Sequence, residues 1–159
     1  MAIQKITPSL WYTKDAAEAA KFYASIFPDS RVDRVTQLPT DSPSGPAGTV
    51  DIVEFTLFHQ KFMAMSAGPL DPFNHAISFT LHCESQQEID KYWAALTADG
   101  TPEQCGWLKD KYGVYWQVTT PLLGKLLNDP DRVKAKRAAD AMMKMIKIDI
   151  GALKRAFEG

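Results

Sequence analysis

Two stretches decide the fold: DAAEAAKFYASIFPDS, residues 15–30, and SQQEIDKYWAALTADG, residues 85–100. Each opens on a capping residue, Asp15 or Ser85, with a glutamate three positions on, Glu18 or Glu88. A side-chain oxygen at the first position and a carboxylate at the fourth can satisfy the open N–H groups of a helix start. Ala16, Ala19, Ala20, Tyr23 and Phe27 recur near helical spacing. Pro28-Asp29 ends the first helix and Gly100 the second. Laid over each other at an offset of 85 − 15 = 70, the stretches match Glu18 to Glu88, Lys21 to Lys91, Phe22-Tyr23 to Tyr92-Trp93 and Ala24 to Ala94. A shared cap, acid, base and aromatic pair predicts an internal duplication.

Working outward, each helix has a strand before it and strands after it. Lys5–Tyr12 precedes the first helix. Ser30–Leu38, Thr49–Phe58 and Lys61–Ser66 follow it, with Pro39–Gly48 (PTDSPSGPAG) as turn and loop and His59-Gln60 as a hairpin turn. His75–Cys83 precedes the second helix, and residues 103–108 and 114–119 follow it. The tail from Pro121 carries Asp129-Pro130, a cap followed by proline at a first helical position. Val133, Ala138, Met142, Met145 and Ile146 then form an apolar stripe, and a last helix runs from Asp149 to Phe157. The stripe needs cover, either over a sheet or across a dimer.

Of the 159 residues 45% are hydrophobic and 23% charged, as in ordinary globular proteins. No apolar run reaches the roughly 20 residues that span a bilayer, and MAIQKITPSLWY lacks a secretion-signal core. A cytoplasmic protein with no membrane partner is expected. Cys83 and Cys105 have no metal-ligand spacing and read as reduced. The net charge of −1 argues against nucleic acid as a partner. Residues 1–120 hold 9 basic against 14 acidic side chains and residues 121–159 hold 9 against 5, a contrast that reads as a solvated helix face.

The segments ITPSLWY (6–12), AAKFYASIFPDS (19–30), FTLFHQKFMAMSAGP (55–69), AISF (76–79), CGWLKDKYGVYWQVTTP (105–121) and MMKMIKIDIGALKRA (142–156) span nearly the whole chain. Together they resemble the PhnB-like branch of the vicinal-oxygen-chelate (glyoxalase/bleomycin-resistance) superfamily, a branch also labelled 3-demethylubiquinone-9 3-methyltransferase. The resemblance implies an α+β fold: two paired βαβββ modules, 1–68 and 74–121, forming curled mixed sheets around a cavity within one domain, plus a helical extension over 122–159. It also implies a homodimer.

Superfamily enzymes typically hold one divalent metal with His or Glu on cavity-facing strands. The resemblance puts those positions at Pro8, within Met65–Ala67, at Ala76 and at Gln117, which follows the hairpin glycine Gly113. Pro8 and Ala76 cannot ligate through a side chain, Met65–Ala67 holds no acid or imidazole, and Gln117 offers only a neutral amide oxygen, so a site for a hard cation is expected to be absent. Side chains alternate along a strand. If Ile77, Phe79 and Leu81 pack under the second helix, then Asn74, Ala76, Ser78 and Thr80 face the cavity and His75 faces away. The same alternation puts Trp116 in the core and Tyr115 and Gln117 on the cavity side.

His59 reads as an exposed hairpin residue, and His82 as a surface histidine or an acid–base group. Trp11, Trp107 and Trp116 can form a flat wall or pack the core. Asp110 reads as a turn-stabilising residue. No nucleophile elbow, Cys–His pairing or glycine-rich phosphate loop is present. The expected function is binding of a small, planar or apolar molecule without metal or other cofactor, by Pro8, Leu10, Tyr12, Ala76, Ser78, Tyr115 and Gln117. Two alternatives stay open: a metal-dependent lyase or dioxygenase with a rebuilt site, and the methyl transfer that the family label names. For the second, the glycine-rich βα turn of common S-adenosylmethionine enzymes is missing.

Overall fold

A computed structural model describes residues 4–159. The chain forms two compact units, 1–71 and 72–159. The first contains β1 (Ser9–Tyr12), α1 (Ala16–Ile26), β2 (Arg31–Gln37), β3 (Asp51–Leu57) and β4 (Gln60–Ser66). Its sheet has the order β1-β4-β3-β2, with β1 parallel to β4 and the other pairs antiparallel. The second contains β5 (Phe79–His82), α2 (Gln86–Thr97), β6 (Thr101–Pro102), a 3₁₀ turn at Gln104–Gly106, β7 (Trp107–Lys109) and β8 (Tyr115–Thr119). Its order, β5-β8-β7-β6 with β5 parallel to β8, repeats the first. The fold is α+β, two βαβββ modules followed by α3 (Pro121–Leu127), α4 (Arg132–Met142) and α5 (Ile150–Glu158).

The modules share a topology, but not at the offset of 70. In α1 and just after it the buried residues include Ala20, Tyr23 and Phe27, and in α2 they are Ile89, Tyr92 and Leu96. These superpose at 89 − 20 = 69. Burial, which decides what a helix packs, therefore pairs Tyr23 with Tyr92 rather than with Trp93. Of the matched charges, Glu18, Lys21 and Lys91 are exposed and Glu88 is half-buried, so they fix no packing row.

The caps differ as well. Ser85 Oγ accepts the Glu88 N–H at 3.2 Å, and Glu88 Oε2 returns a bond to the Glu84 N–H at 2.8 Å. Asp15 makes no such side-chain bond. Instead the Ala16 N–H donates to Ser66 Oγ, at the end of β4, at 3.0 Å.

The hairpin β3–β4 turns through Phe58-His59, one residue earlier than expected, and both have positive φ (46° and 66°). That pair of dihedrals suits the twist of a two-residue hairpin but favours Asn-Gly. The hairpin β7–β8 turns through Asp110–Gly113 and is held from within. Asp110, 2% exposed, accepts from the N–H groups of Tyr112 and Val114 and from Trp116 Nε1, at 2.8, 3.0 and 2.8 Å.

In the extension, Asp131 rather than Asp129 caps α4, and Asp149 caps α5. Leu126, Ala135, Ala138, Ile148 and Leu153 are its buried residues. Of the expected stripe, Ala138 is buried, while Val133 and Ile146 are exposed. The segment between α4 and α5 docks on the second unit. The Cys105 and Gly106 N–H groups donate to Met145 and Ile146 carbonyls, both at 2.8 Å. Gln86 bonds the Ile148 carbonyl (3.1 Å) and the Ile150 N–H (2.9 Å). Gly106 has φ +83°, and an added Cβ would lie 2.6 Å from the Val118 carbonyl oxygen and 3.0 Å from Ile148. Among the described residues, no helix is long and apolar enough to cross a membrane.

Candidate functional site

Each sheet has one face covered by its helix and one face left open by it. In the first unit, Leu10 and Tyr12 are buried and share rows with Ala64 and Ser66. Tyr12 Oη lies 3.3 Å from Tyr23 Oη of α1. The alternation that places Pro8, Leu10 and Tyr12 on the cavity side is therefore reversed: Leu10 and Tyr12 face α1, and the backbone carbonyl of Pro8 bonds the Met63 N–H at 2.9 Å. The open face carries Ser9 and Trp11 with Met63 and Met65, their partners on β4. Ile52 and Glu54 continue it across β3, where Glu54 pairs with Arg34.

In the second unit, Trp116, Val118 and Leu108 are buried on the α2 side, and Phe79 packs against Trp116 with ring centroids 5.3 Å apart. Tyr115, Gln117 and Trp107 then take the open face. Gln117 Nε2 donates to Ser78 Oγ at 2.9 Å. Three of the expected residues, Ser78, Tyr115 and Gln117, thus share one face. Ala76 does not join them through a strand: residues 74–78 form a turn before β5, and the Ala76 N–H donates to Asn74 Oδ1 at 2.8 Å. Ile77, expected under α2, is 76% exposed.

That turn overturns the expectation for His75. Strand alternation does not apply where no strand exists, and the imidazole swings onto the open face. Its ring centroid lies 4.0 Å from Tyr115 and 5.8 Å from Trp107, and Nε2 lies 2.7 Å from Glu103 Oε2. Glu103 was not legible as a site residue. It stands just before the 3₁₀ turn, and its N–H donates to the Trp107 carbonyl at 2.8 Å. The pairing of β6 with β7 is what delivers its side chain to His75. His59 and His82 are exposed; His59 pairs with Asp29 at 3.5 Å.

The electrostatics are concentrated elsewhere. Burial, with Glu88 nearby, pushes the Cys83 thiol up to about 12. Burial and the same glutamate raise the Tyr92 phenol. Burial pushes the Asp33 carboxyl up, but the hydrogen bonds from Thr56 and Lys61 and the charges of Lys61 and Arg31 outweigh it and hold the group below its usual value.

The donor set does not fit a divalent metal at the positions implied by the superfamily. Gln117 offers only a neutral amide oxygen, Pro8 and Ala76 have no side-chain donor, and His75 is engaged with one carboxylate. Among the described residues, no group of three or more His, Cys, Asp or Glu is placed to hold a metal ion.

A family model described as 3-demethylubiquinone-9 3-methyltransferase matches residues 4–119. No curated protein matches the chain. Among solved structures, a protein from Bacillus cereus described as a putative 3-demethylubiquinone-9 3-methyltransferase, PhnB protein, is 35% identical, with a TM-score of 0.63 over 74% of this chain and 99% of its own. A protein from Pseudomonas aeruginosa is 21% identical, with a TM-score of 0.56 over 75% and 98%. The fosfomycin resistance protein FosX from Listeria monocytogenes is 14% identical, with a TM-score of 0.57 over 81% and 100%, a likeness of fold alone. With the family model matched through both βαβββ modules and the Bacillus cereus relative spanned almost end to end, the chain belongs to the PhnB-like family labelled 3-demethylubiquinone-9 3-methyltransferase, within the vicinal-oxygen-chelate superfamily.

Proposed function

We propose that the chain binds a small planar organic molecule on the open face of its second unit. The observation that carries this reading is the ring cluster of His75, Tyr115 and Trp107, with centroids 4.0 and 5.8 Å from the imidazole, beside the hydrogen-bonded Ser78–Gln117 pair. Aromatic rings supply flat apolar area, and a few placed polar groups fix a ligand's orientation. Ser78, Tyr115 and Gln117 keep the role assigned to them from sequence; His75, Trp107 and Glu103 join them. Methyl transfer finds no support in the site: the sheets are two four-stranded mixed sheets, not the parallel sheet that common S-adenosylmethionine enzymes use.

Native mass spectrometry of the freshly purified protein tests the reading. A retained organic compound is expected, with Trp107→Ala losing it; retention by both proteins alike would refute the site. We also propose a homodimer, because Val133, Met143 and Ile146 are large apolar residues left exposed. Light scattering should give twice 17.7 kDa; the monomer mass at micromolar concentration would refute it. The two free thiols, Cys83 and Cys105, suit a reducing cytoplasm.

A further inference from the structure

We propose that the His75–Glu103 pair is a receptor for a neutral hydrogen-bond donor on the ligand, and that it selects a planar ring carrying a free hydroxyl over the same ring without one. This deepens the binding reading above and rests on it.

The argument starts from Glu103. As a carboxylate it can only accept, so the 2.7 Å contact requires His75 Nε2 to carry the hydrogen. In the neutral imidazole the other nitrogen, Nδ1, is then an acceptor with a free lone pair. Among the described residues, the hydrogen-bonding contact of the His75 ring is to Glu103, so Nδ1 has no protein donor. The imidazole side chain is 57% exposed, which leaves that lone pair open to a ligand.

The ring is nevertheless held. Tyr115 packs against it at 4.0 Å with the rings tilted by 45°, Glu103 fixes one edge, and the Asn74 side chain pins the turn that presents it. A fixed acceptor beside a flat aromatic surface discriminates by hydrogen bonding. A ligand that lies against the shelf and offers O–H satisfies Nδ1, whereas an analogue with a methyl in place of that hydrogen strips water from Nδ1 and returns nothing. Nearby, Gln117 spends an amide hydrogen on Ser78, so its carbonyl oxygen remains a second acceptor. The face is thus rich in acceptors and fits a donor ligand.

The test uses 2-naphthol and 2-methoxynaphthalene, which share a planar ring system and differ in the donor. Equilibrium dialysis is run at pH 8. Wild-type protein is expected to bind 2-naphthol about tenfold more tightly, the size of one satisfied hydrogen bond. His75→Phe keeps a ring on Tyr115 and removes the acceptor; it should bring the ratio to about one while holding 2-methoxynaphthalene within about twofold of wild type. Glu103→Gln, which frees the ring and its tautomer, should lower the ratio without abolishing binding. A wild-type ratio near one, or a preference that survives His75→Phe, overturns the proposal while leaving the shelf intact. The shelf itself fails, and the proposal with it, if neither compound binds or if Trp107→Ala binds both as wild type does. His75 is exposed, so its substitution leaves the fold available for each measurement.

Discussion

The two modules solve one problem with different hydroxyls. At the offset of 69, Ala16 corresponds to Ser85 and Tyr12 to Leu81, and the strand partners of that second pair, Ser66 and Val118, occupy matching places in the two sheets. In the first unit the hydroxyl sits on the end of β4 and reaches across to the helix start. In the second it sits at the helix start and bonds within its own turn, and the strand position is a fully buried valine. The need is constant, an open N–H at a helix N-terminus; the residue that meets it has moved from one element to another. The open faces differ in the same manner. Trp11, Met63, Met65 and Ile52 make the first largely apolar, while His75, Glu103, Ser78 and Gln117 make the second a hydrogen-bonding surface. A duplicated motif keeps its buried rows, which packing constrains, and diverges on the face that packing leaves free.

The hairpins offer the sharpest way to break this comparison. Asp110 serves three donors in a buried position, and Phe58-His59 has no equivalent. Asp110→Ala strands those donors and should cost about 3 kcal/mol, since a buried group left unpaired loses roughly 1–3. Urea unfolding measures it, and a cost under about 1 kcal/mol would show that water replaces the carboxylate. The caps come next. Ser66→Ala and Ser85→Ala should each cost about 1 kcal/mol despite sitting on different elements. If only Ser85→Ala is costly, the hydroxyl borrowed from β4 is not equivalent to a local cap. Replacing Phe58-His59 by Asn-Gly relaxes two left-handed residues, at the expense of the Phe27–Phe58 ring contact at 5.2 Å. A net gain of about 0.5 kcal/mol in thermal unfolding is expected.

The smallest effect concerns the thiols and leaves stability unchanged. Cys83 is buried, with its thiol pushed up to about 12, and Cys105 is part-exposed beside Met143. A disulfide reagent at pH 8 should therefore label Cys105 in the native protein and reach Cys83 after denaturation. Equal native labelling would mean that the second module opens more readily than its burial indicates.

Much of the fold was legible because strands, helices and turns announce themselves locally. Gly113 after Asp110, the Ser85–Glu88 spacing and the alternation Tyr115-Trp116-Gln117 all carried through. Registers and faces were harder. The offset of 70 came from charges, which are not held to a packing row; burial set it at 69. His75 was misplaced because alternation was extended through residues 74–78, where the chain turns. Glu103 could not be found at all from local pattern, since it meets His75 across 28 positions.

The attachment of the C-terminal segment bears on the order of events in folding. Gln86 meets Ile148 across 62 positions, and Cys105 meets Met145 across 145 − 105 = 40. Both contacts use a surface that exists only once α2 and the 3₁₀ turn at Gln104–Gly106 are in place. Closing such long loops is entropically unfavourable and slow compared with forming a helix. The α4 and α5 helices can coil early, yet their anchorage must arrive late. The left-handed Gly106, whose missing side chain lets Val118 and Ile148 close in on the backbone, is the keyhole through which that last step passes.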